Sequence, residues 1–242
     1  MDSSTKVLHS RDNDCTLVIM AKAPRPGTVK TRLAQRLPVE AVTELYRCLL
    51  ADTLALAHSL PAVKVAIMCP TSDVEALAEM TGGVTIIVAQ QGEGLAAGLT
   101  SVFAYFARSR RQRVIAFNSD SPHLPISVLA GAFETLIAHD VVVGPTHDGG
   151  YYLVGAKTAH ATLFHDDGLG TNSALDALLA RARSLRLSVG FSEPFYDIDV
   201  EGDLTRLATE LRLAPARAPR TAAWLSELQQ TVPHLRRAAR DL

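Results

Sequence analysis

Ala21–Leu33, AKAPRPGTVKTRL, follows directly on the apolar run Leu17–Met20. A short β-rich run that breaks at Pro24, Pro26 and Gly27 and restarts as a helix is the strand–loop–helix passage of an α/β fold. Lys22, Lys30 and Arg32 crowd into and around that loop. Gly27 lets the backbone approach a ligand, and a helix N-terminus beyond it adds partial positive charge, so the loop suits nucleotide phosphates. The same residues also fit an ordinary βα turn with solvated basic side chains. A P-loop is excluded, because its Gly-Lys-Ser/Thr end needs a Gly four residues earlier and here Lys30-Thr31 follows Val29. No GxGxxG follows the first strand, so a dinucleotide-dependent oxidoreductase is excluded as well.

Outward from this stretch, strands and helices alternate. Strands are predicted at Thr16–Ala21, Val63–Met68, Val84–Val88, Val114–Phe117, Val141–Val143 and Tyr151–Val154. Helices are predicted at Val39–His58, Ser72–Met80, Leu95–Arg108 and Ile126–His139. Near-continuous apolar strands between helices indicate an α/β domain, a mostly parallel sheet covered on both faces. Ligands of such sheets bind beyond the carboxyl ends of the strands, where the informative loops lie. The 242 residues divide into a polar leader (1–14), one nucleotide-binding domain (15–212) and a C-terminal helical extension (213–242).

A hydrophobic fraction of 48% with only 5% aromatics implies an aliphatic core. The net charge of −1 gives no global attraction to nucleic acid or anionic membrane, so phosphate binding must come from a local cluster. Cys15, Cys48 and Cys69 are odd in number and lack CxxC spacing, which fits free thiols in a reducing cytoplasm rather than disulfides or zinc. The leader has no apolar core, and no run is long enough to span a membrane, so a cytoplasmic location is expected.

Three acidic blocks complete the pattern. Asn118-Ser119-Asp120-Ser121-Pro122 ends an apolar strand, which aims Asp120 into the crevice. Gly144–Tyr152, GPTHDGGYY, follows another strand, and Asp197–Asp203, DIDVEGD, comes late. Alternation places Asp197 and Asp199 on one face of an extended segment. Asp120 with one late Asp would suit Mg²⁺, which takes few carboxylates, several waters and substrate phosphates. Each block also has a plain reading: Ser-Asp-Ser-Pro as a cap, Asp-Gly-Gly as a turn, and Glu201 and Asp203 as first-turn residues of a helix. No histidine pair has metal spacing; His123 and His147 lie beside the acidic blocks, and His165-Asp166-Asp167 reads as solvated loop.

In this order the segments AKAPRPGTVKTRLA, NSDSPHLP, GPTHDGGYYLVG and DIDVEGDL resemble a bacterial family of nucleotide-diphospho-sugar transferase-like proteins. That resemblance implies a single three-layer Rossmann-like GT-A domain. It also implies kinship with 2-phospholactate guanylyltransferases, whose basic loop is similar to VKTRLA and which bind GTP. Carried over by motif, Ala21, Lys22, Pro26, Gly27, Lys30, Arg32, Gln91 and Asp120 would contact the nucleotide. Asp120, Asp199 and, as an alternative, Asp197 would hold Mg²⁺ or Mn²⁺, and Gly149, Gly150 and Tyr151 would line the acceptor side. Where relatives carry Gly-x-Arg-Met, this chain reads Gly94-Leu95-Ala96-Ala97-Gly98, one cation fewer.

The activity implied is metal-dependent transfer from a nucleotide donor to a small-molecule acceptor. Lys30 and Arg32 would stabilise the leaving charge, and Asp148 would serve as base toward an acceptor hydroxyl. Glycosyl transfer from a nucleotide-diphospho-sugar comes first. Nucleotidyl transfer from an NTP to a phosphorylated acceptor is the alternative, and a non-catalytic nucleotide sensor a second one. A homodimer is compatible with the chain; no nucleic acid or membrane partner is expected. Tyr151, Tyr152, Phe191 and Phe195 are read chiefly as packing, and Trp224 as an anchor of the tail helix.

Overall fold

The computed structural model describes residues 15–108, 112–164 and 173–231. Among them β1 (Cys15–Met20), β2 (Val63–Cys69), β3 (Ile86–Ala89), β4 (Arg113–Asn118), β5 (Val141–Pro145), β6 (Tyr151–Ala156) and β7 (Val189–Phe191) form one sheet. Its order is β3-β2-β1-β4-β6-β5-β7, with β6 antiparallel to β4 and β5 and the other pairs parallel. Met20 is level with both Met68 and Asn118, so the loops after β1, β2 and β4 leave the sheet side by side.

Helices α1 (Val39–His58), α2 (Val74–Thr81), α3 (Gly94–Phe106), α4 (Ile126–Ala138), α5 (Ala174–Ser184), α6 (Glu201–Leu213) and α7 (Pro219–Thr231) cover the sheet. The strand period of two sends Leu17 and Ile19 to one face and Val18 to the other. On the first face they meet Leu50 and Leu54 of α1 and Leu129 of α4; on the second, Leu99, Val102 and Phe103 of α3 and Leu178 of α5. A third core joins Leu45 and Leu49 of α1 to Leu204, Leu207 and Leu211 of α6 and Leu225 of α7. Helix α7 is also pinned electrostatically. The fully buried Asp52 of α1 accepts hydrogen bonds from the Thr221 backbone N–H (2.8 Å) and hydroxyl (2.9 Å) and from the Arg220 N–H (3.3 Å) at its start.

The predicted elements appear within a few residues of their expected ends, and α5 and β7 add to them. One expectation fails. No helix begins at the basic loop: residues after β1 form turns and a single 3₁₀ turn at Leu33–Gln35, and α1 starts only at Val39, after Pro38. Lys30 itself has φ +48°, a left-handed conformation no α-helix admits, so the loop draws on side chains rather than a helix dipole. The expected leader (1–14) and His165-Asp166-Asp167 lie outside the described residues. Among those described, no helix is long and apolar enough to cross a membrane.

Candidate active site

A cleft of about 860 Å³ opens at the carboxyl ends of β1, β2, β3 and β4. Ala21, Lys22, Lys30 and Arg32 come from the loop after β1, Met68 and Pro70 from the end of β2, Gln90 from the end of β3, and Ser119 and Asp120 from the turn after β4. Asp199 enters from the segment before α6. The wall is therefore basic on one side and acidic at its floor.

Lys30 sits where the two meet. Its ammonium donates to Asp120 Oδ2 and, at 2.9 Å, to Asp199 Oδ1, while Arg32 reaches Asp199 Oδ2 at 3.4 Å. The Lys30 side chain is 6% exposed, Asp120 15% and Asp199 37%. Burial disfavours the ammonium, yet Asp120 and Asp199 outweigh it and hold the Lys30 pKa above its ordinary value. Asp197 completes a triad in which one carboxylate oxygen from each residue lies within 4.8 Å of the other two. Burial, and then the charges of Asp120 and Asp199, push its pKa up to about 7.

These residues fit a divalent cation. Among the described residues three carboxylates face the buried Lys30 ammonium, and Asp120 Oδ1 is buried without a hydrogen-bond partner. An unmet buried carboxylate oxygen is costly, and an oxygen-only set of this size is the donor set of Mg²⁺ or Mn²⁺.

The surroundings fix both loops. Tyr46 of α1 accepts from the Lys22 N–H (3.1 Å) and bonds Ser119 Oγ (2.9 Å), tying the basic loop to the acidic turn. Thr53 donates to the Ser119 carbonyl at 3.2 Å. Asp73, buried just before α2, accepts from the Ala23 N–H (3.0 Å) and the Arg25 guanidinium (2.6 Å), clamping the start of the loop. Asp203 caps the following helix by accepting from the Asp199 (2.9 Å) and Val200 (2.8 Å) N–H groups, as its plain reading had it.

Of the residues singled out from sequence, Ala21, Lys22, Lys30, Arg32, Asp120 and Asp199 come together at the cleft, and Asp197 adjoins them. Pro26 and Gly27 are exposed and lie off its walls. Gly27 has φ +75° with open space where a Cβ would point, so the turn needs glycine for its backbone angle and not for close approach. At the end of β3 it is Gln90 that lines the cleft; the Gln91 N–H is engaged by Ser101 Oγ at 2.8 Å. Asp148 lies outside the walls and accepts from Thr146 Oγ1 and, at 3.2 Å, from the Gly150 N–H. The Thr146 bond holds its carboxyl below the ordinary range, which makes it a weak base at rest. Gly149 and Gly150 belong to this same turn; a Cβ on Gly150 would lie 2.8 Å from Thr146 Oγ1. Tyr151 packs against the second core, and its buried hydroxyl has no hydrogen-bond partner among the described residues. His123 is fully buried between Phe195 and Tyr196, at ring distances of 4.8 and 4.6 Å. Tyr46, Ser119, Gln90 and Asp73 were missed. Tyr46, three residues before Leu49 on the buried face of α1, carried the one available signal: a polar-tipped ring on an otherwise apolar stripe.

Residues 53–171 match the bacterial family DUF2064. That family is described as an uncharacterized protein conserved in bacteria. A crystal structure of a protein from Desulfovibrio desulfuricans G20, provisionally named a nucleotide-diphospho-sugar transferase, superimposes with a TM-score of 0.82 at 25% identity. The match covers 93% of this chain and 98% of that one. A nucleotidyl transferase from Methanothermobacter shares the fold at 16% identity and TM-score 0.56, over 84% of this chain and 99% of that one. Rv0371c from Mycobacterium tuberculosis H37Rv, in complex with manganese, shares it at 20% and 0.50, over 81% and 97%. No curated protein matches in sequence. The chain has the α/β Rossmann-like fold of these sugar-nucleotide and nucleotidyl transferases.

Proposed function

We propose that this protein is a divalent-metal-dependent transferase that takes a glycosyl group from a nucleotide-diphospho-sugar to a small acceptor. The observation that carries the reading is the convergence of Lys30 and Arg32 with Asp120, Asp197 and Asp199 beside a cleft at the strand carboxyl ends. The likeness to the Desulfovibrio protein supports the nucleotide-sugar donor. Asp120 and Asp199 would hold the metal, with Asp197 as third ligand. When bound, the metal would neutralise charge on the donor pyrophosphate. Lys30 and Arg32 would bind the phosphates and stabilise the charge that develops on the leaving nucleoside diphosphate. Lys22 and Tyr46 hold the rim of the loop against the turn. Asp148, exposed and close enough to Arg32 to feel its charge, would orient or deprotonate the acceptor hydroxyl.

Nucleotidyl transfer is the second reading, favoured by the shared fold of the Methanothermobacter nucleotidyl transferase and by the paired cations of the loop. The products separate the two. Protein incubated with Mg²⁺ or Mn²⁺, a panel of nucleotide-sugars and nucleoside triphosphates, and a panel of small hydroxyl and phosphate acceptors should release nucleoside diphosphate from one nucleotide-sugar as its glycosyl group passes to an acceptor. Pyrophosphate release from a triphosphate instead would establish nucleotidyl transfer. Neither product, with no metal-dependent thermal stabilisation by any nucleotide, would refute both.

A further inference from the structure

We propose that Ser121 is a positioning residue that fixes the spacing between Asp120 and the Asp197–Asp199 segment and thereby sets metal affinity. This rests on the metal reading above. The three carboxylates come from two stretches of chain distant in sequence; the Lys30 ammonium, which donates to both Asp120 and Asp199, offsets their mutual repulsion but leaves the backbone spacing of the two stretches to other contacts. Asp203 holds the backbone of Asp199, and the His123 ring packs on Tyr196 and Phe195. The first orders one stretch; the second crosses between the two, but ring contacts are weakly directional and leave the spacing loose.

Ser121 joins the two stretches directly. Its side chain is fully buried, and its hydroxyl donates to the Tyr196 carbonyl at 3.1 Å. Asn118 Nδ2 donates to the same hydroxyl at 3.0 Å, which fills one lone pair and aims the single proton at Tyr196. Ser121 follows Asp120 in the chain and Tyr196 precedes Asp197, so the bond links the backbones one residue from a carboxylate on each side. A cation that demands ligands at about 2.0–2.1 Å is sensitive to such spacing. Hydrogen-bond partners of ligating groups themselves are worth about 10–100-fold in metal affinity, and a bond one residue removed belongs at the low end of that range.

The test is a Mn²⁺ titration followed by electron paramagnetic resonance on wild type, Ser121→Ala, Asn118→Ala and, as a control destabilised at the contact of α1 with α7, Asp52→Ala. Ser121→Ala should bind Mn²⁺ about tenfold more weakly, with a broadened bound spectrum. Asn118→Ala, which frees the hydroxyl to rotate, should weaken it about threefold, and Asp52→Ala should bind as wild type. An affinity for Ser121→Ala within about twofold of wild type, or no weaker than that of Asp52→Ala, overturns the proposal. Should Ser121→Ala not fold, an unchanged affinity in Asn118→Ala overturns it. Wild type that binds no Mn²⁺ would remove the metal reading itself, a failure distinct from wild-type binding with no effect of Ser121.

Discussion

Replacing Lys30 with Met removes the ammonium lying against Asp120 and Asp199. At the 2.9 Å separation from Asp199, the gross attraction at an effective dielectric near 20 is about 6 kcal/mol. Desolvation of the buried ammonium offsets much of this, and breaking a buried pair typically costs about 3–5 kcal/mol. Asp199 is 37% exposed, so solvent screening favours the lower end, about 3 kcal/mol. For a chain of this size that lowers the melting temperature in EDTA by roughly 6–12 °C. The effect on metal has the opposite sign. Without the lysine a divalent cation meets three carboxylates and no competing ammonium, and recovery of even about 1.4 kcal/mol tightens Mn²⁺ binding about tenfold. Nucleotide affinity should fall, because a phosphate contact is gone. Thermal melts in EDTA, Mn²⁺ titration by electron paramagnetic resonance and calorimetric titration with a nucleoside diphosphate read the three in turn. Mn²⁺ affinity equal to or weaker than that of wild type would refute the competition between Lys30 and the metal.

Three further outcomes are expected. Asp73→Ala, which frees the Ala23 N–H and Arg25, should weaken calorimetric nucleotide affinity about tenfold and leave binding of Mn²⁺ alone unchanged. Asp52→Ala strips the start of α7 of its acceptor and should cost about 3 kcal/mol, roughly 6–12 °C by scanning calorimetry; a drop below about 1 °C would contradict that role. Burial, then the charges of Arg206 and Arg217, lower the His123 pKa to about 3, so between about 6.5 and 3 the unfolded chain binds a proton the native chain refuses. Stability should therefore fall as pH drops through that window, by up to about 1.4 kcal/mol per pH unit, and His123→Leu should flatten the slope in urea melts.

The sheet was legible because its strands are short apolar runs closed by Pro, Gly or Asp, as at Val63–Met68 before Pro70 and Val114–Phe117 before Asp120. The place of Asp120 was legible for the same reason, since a carboxylate just past a buried strand has few places to go but the crevice; Asp199, eight residues beyond β7, was picked out by its alternation with Asp197. The loop between β1 and α1 was misread. Its Thr-Val-Lys-Thr-Arg-Leu run is compatible with a helix, and only the left-handed backbone at Lys30 and the delay to Pro38 show that none forms. Lys30 read as a phosphate contact, and nothing local announces that it pairs with carboxylates 90 and 169 residues away. Tyr46 and Asp73 escaped because their roles lie in long-range hydrogen bonds, Tyr46 to the Lys22 N–H and Ser119 and Asp73 to the Ala23 N–H and Arg25, which leave no periodic trace. The Asp148 turn offered two readings, and its bonds to Thr146 and Gly150 make it a turn first.

In the proposed function, cations of the basic loop and a metal on Asp120, Asp197 and Asp199 together hold a nucleoside diphosphate. A calorimetric titration of wild-type protein with a panel of nucleoside diphosphates, in Mn²⁺ and again in EDTA, tests it most directly. The account predicts tight binding of one nucleotide in Mn²⁺ and a loss of at least tenfold in EDTA, roughly 1.4 kcal/mol or more. Equal affinity in both, or no binding in either, would contradict it.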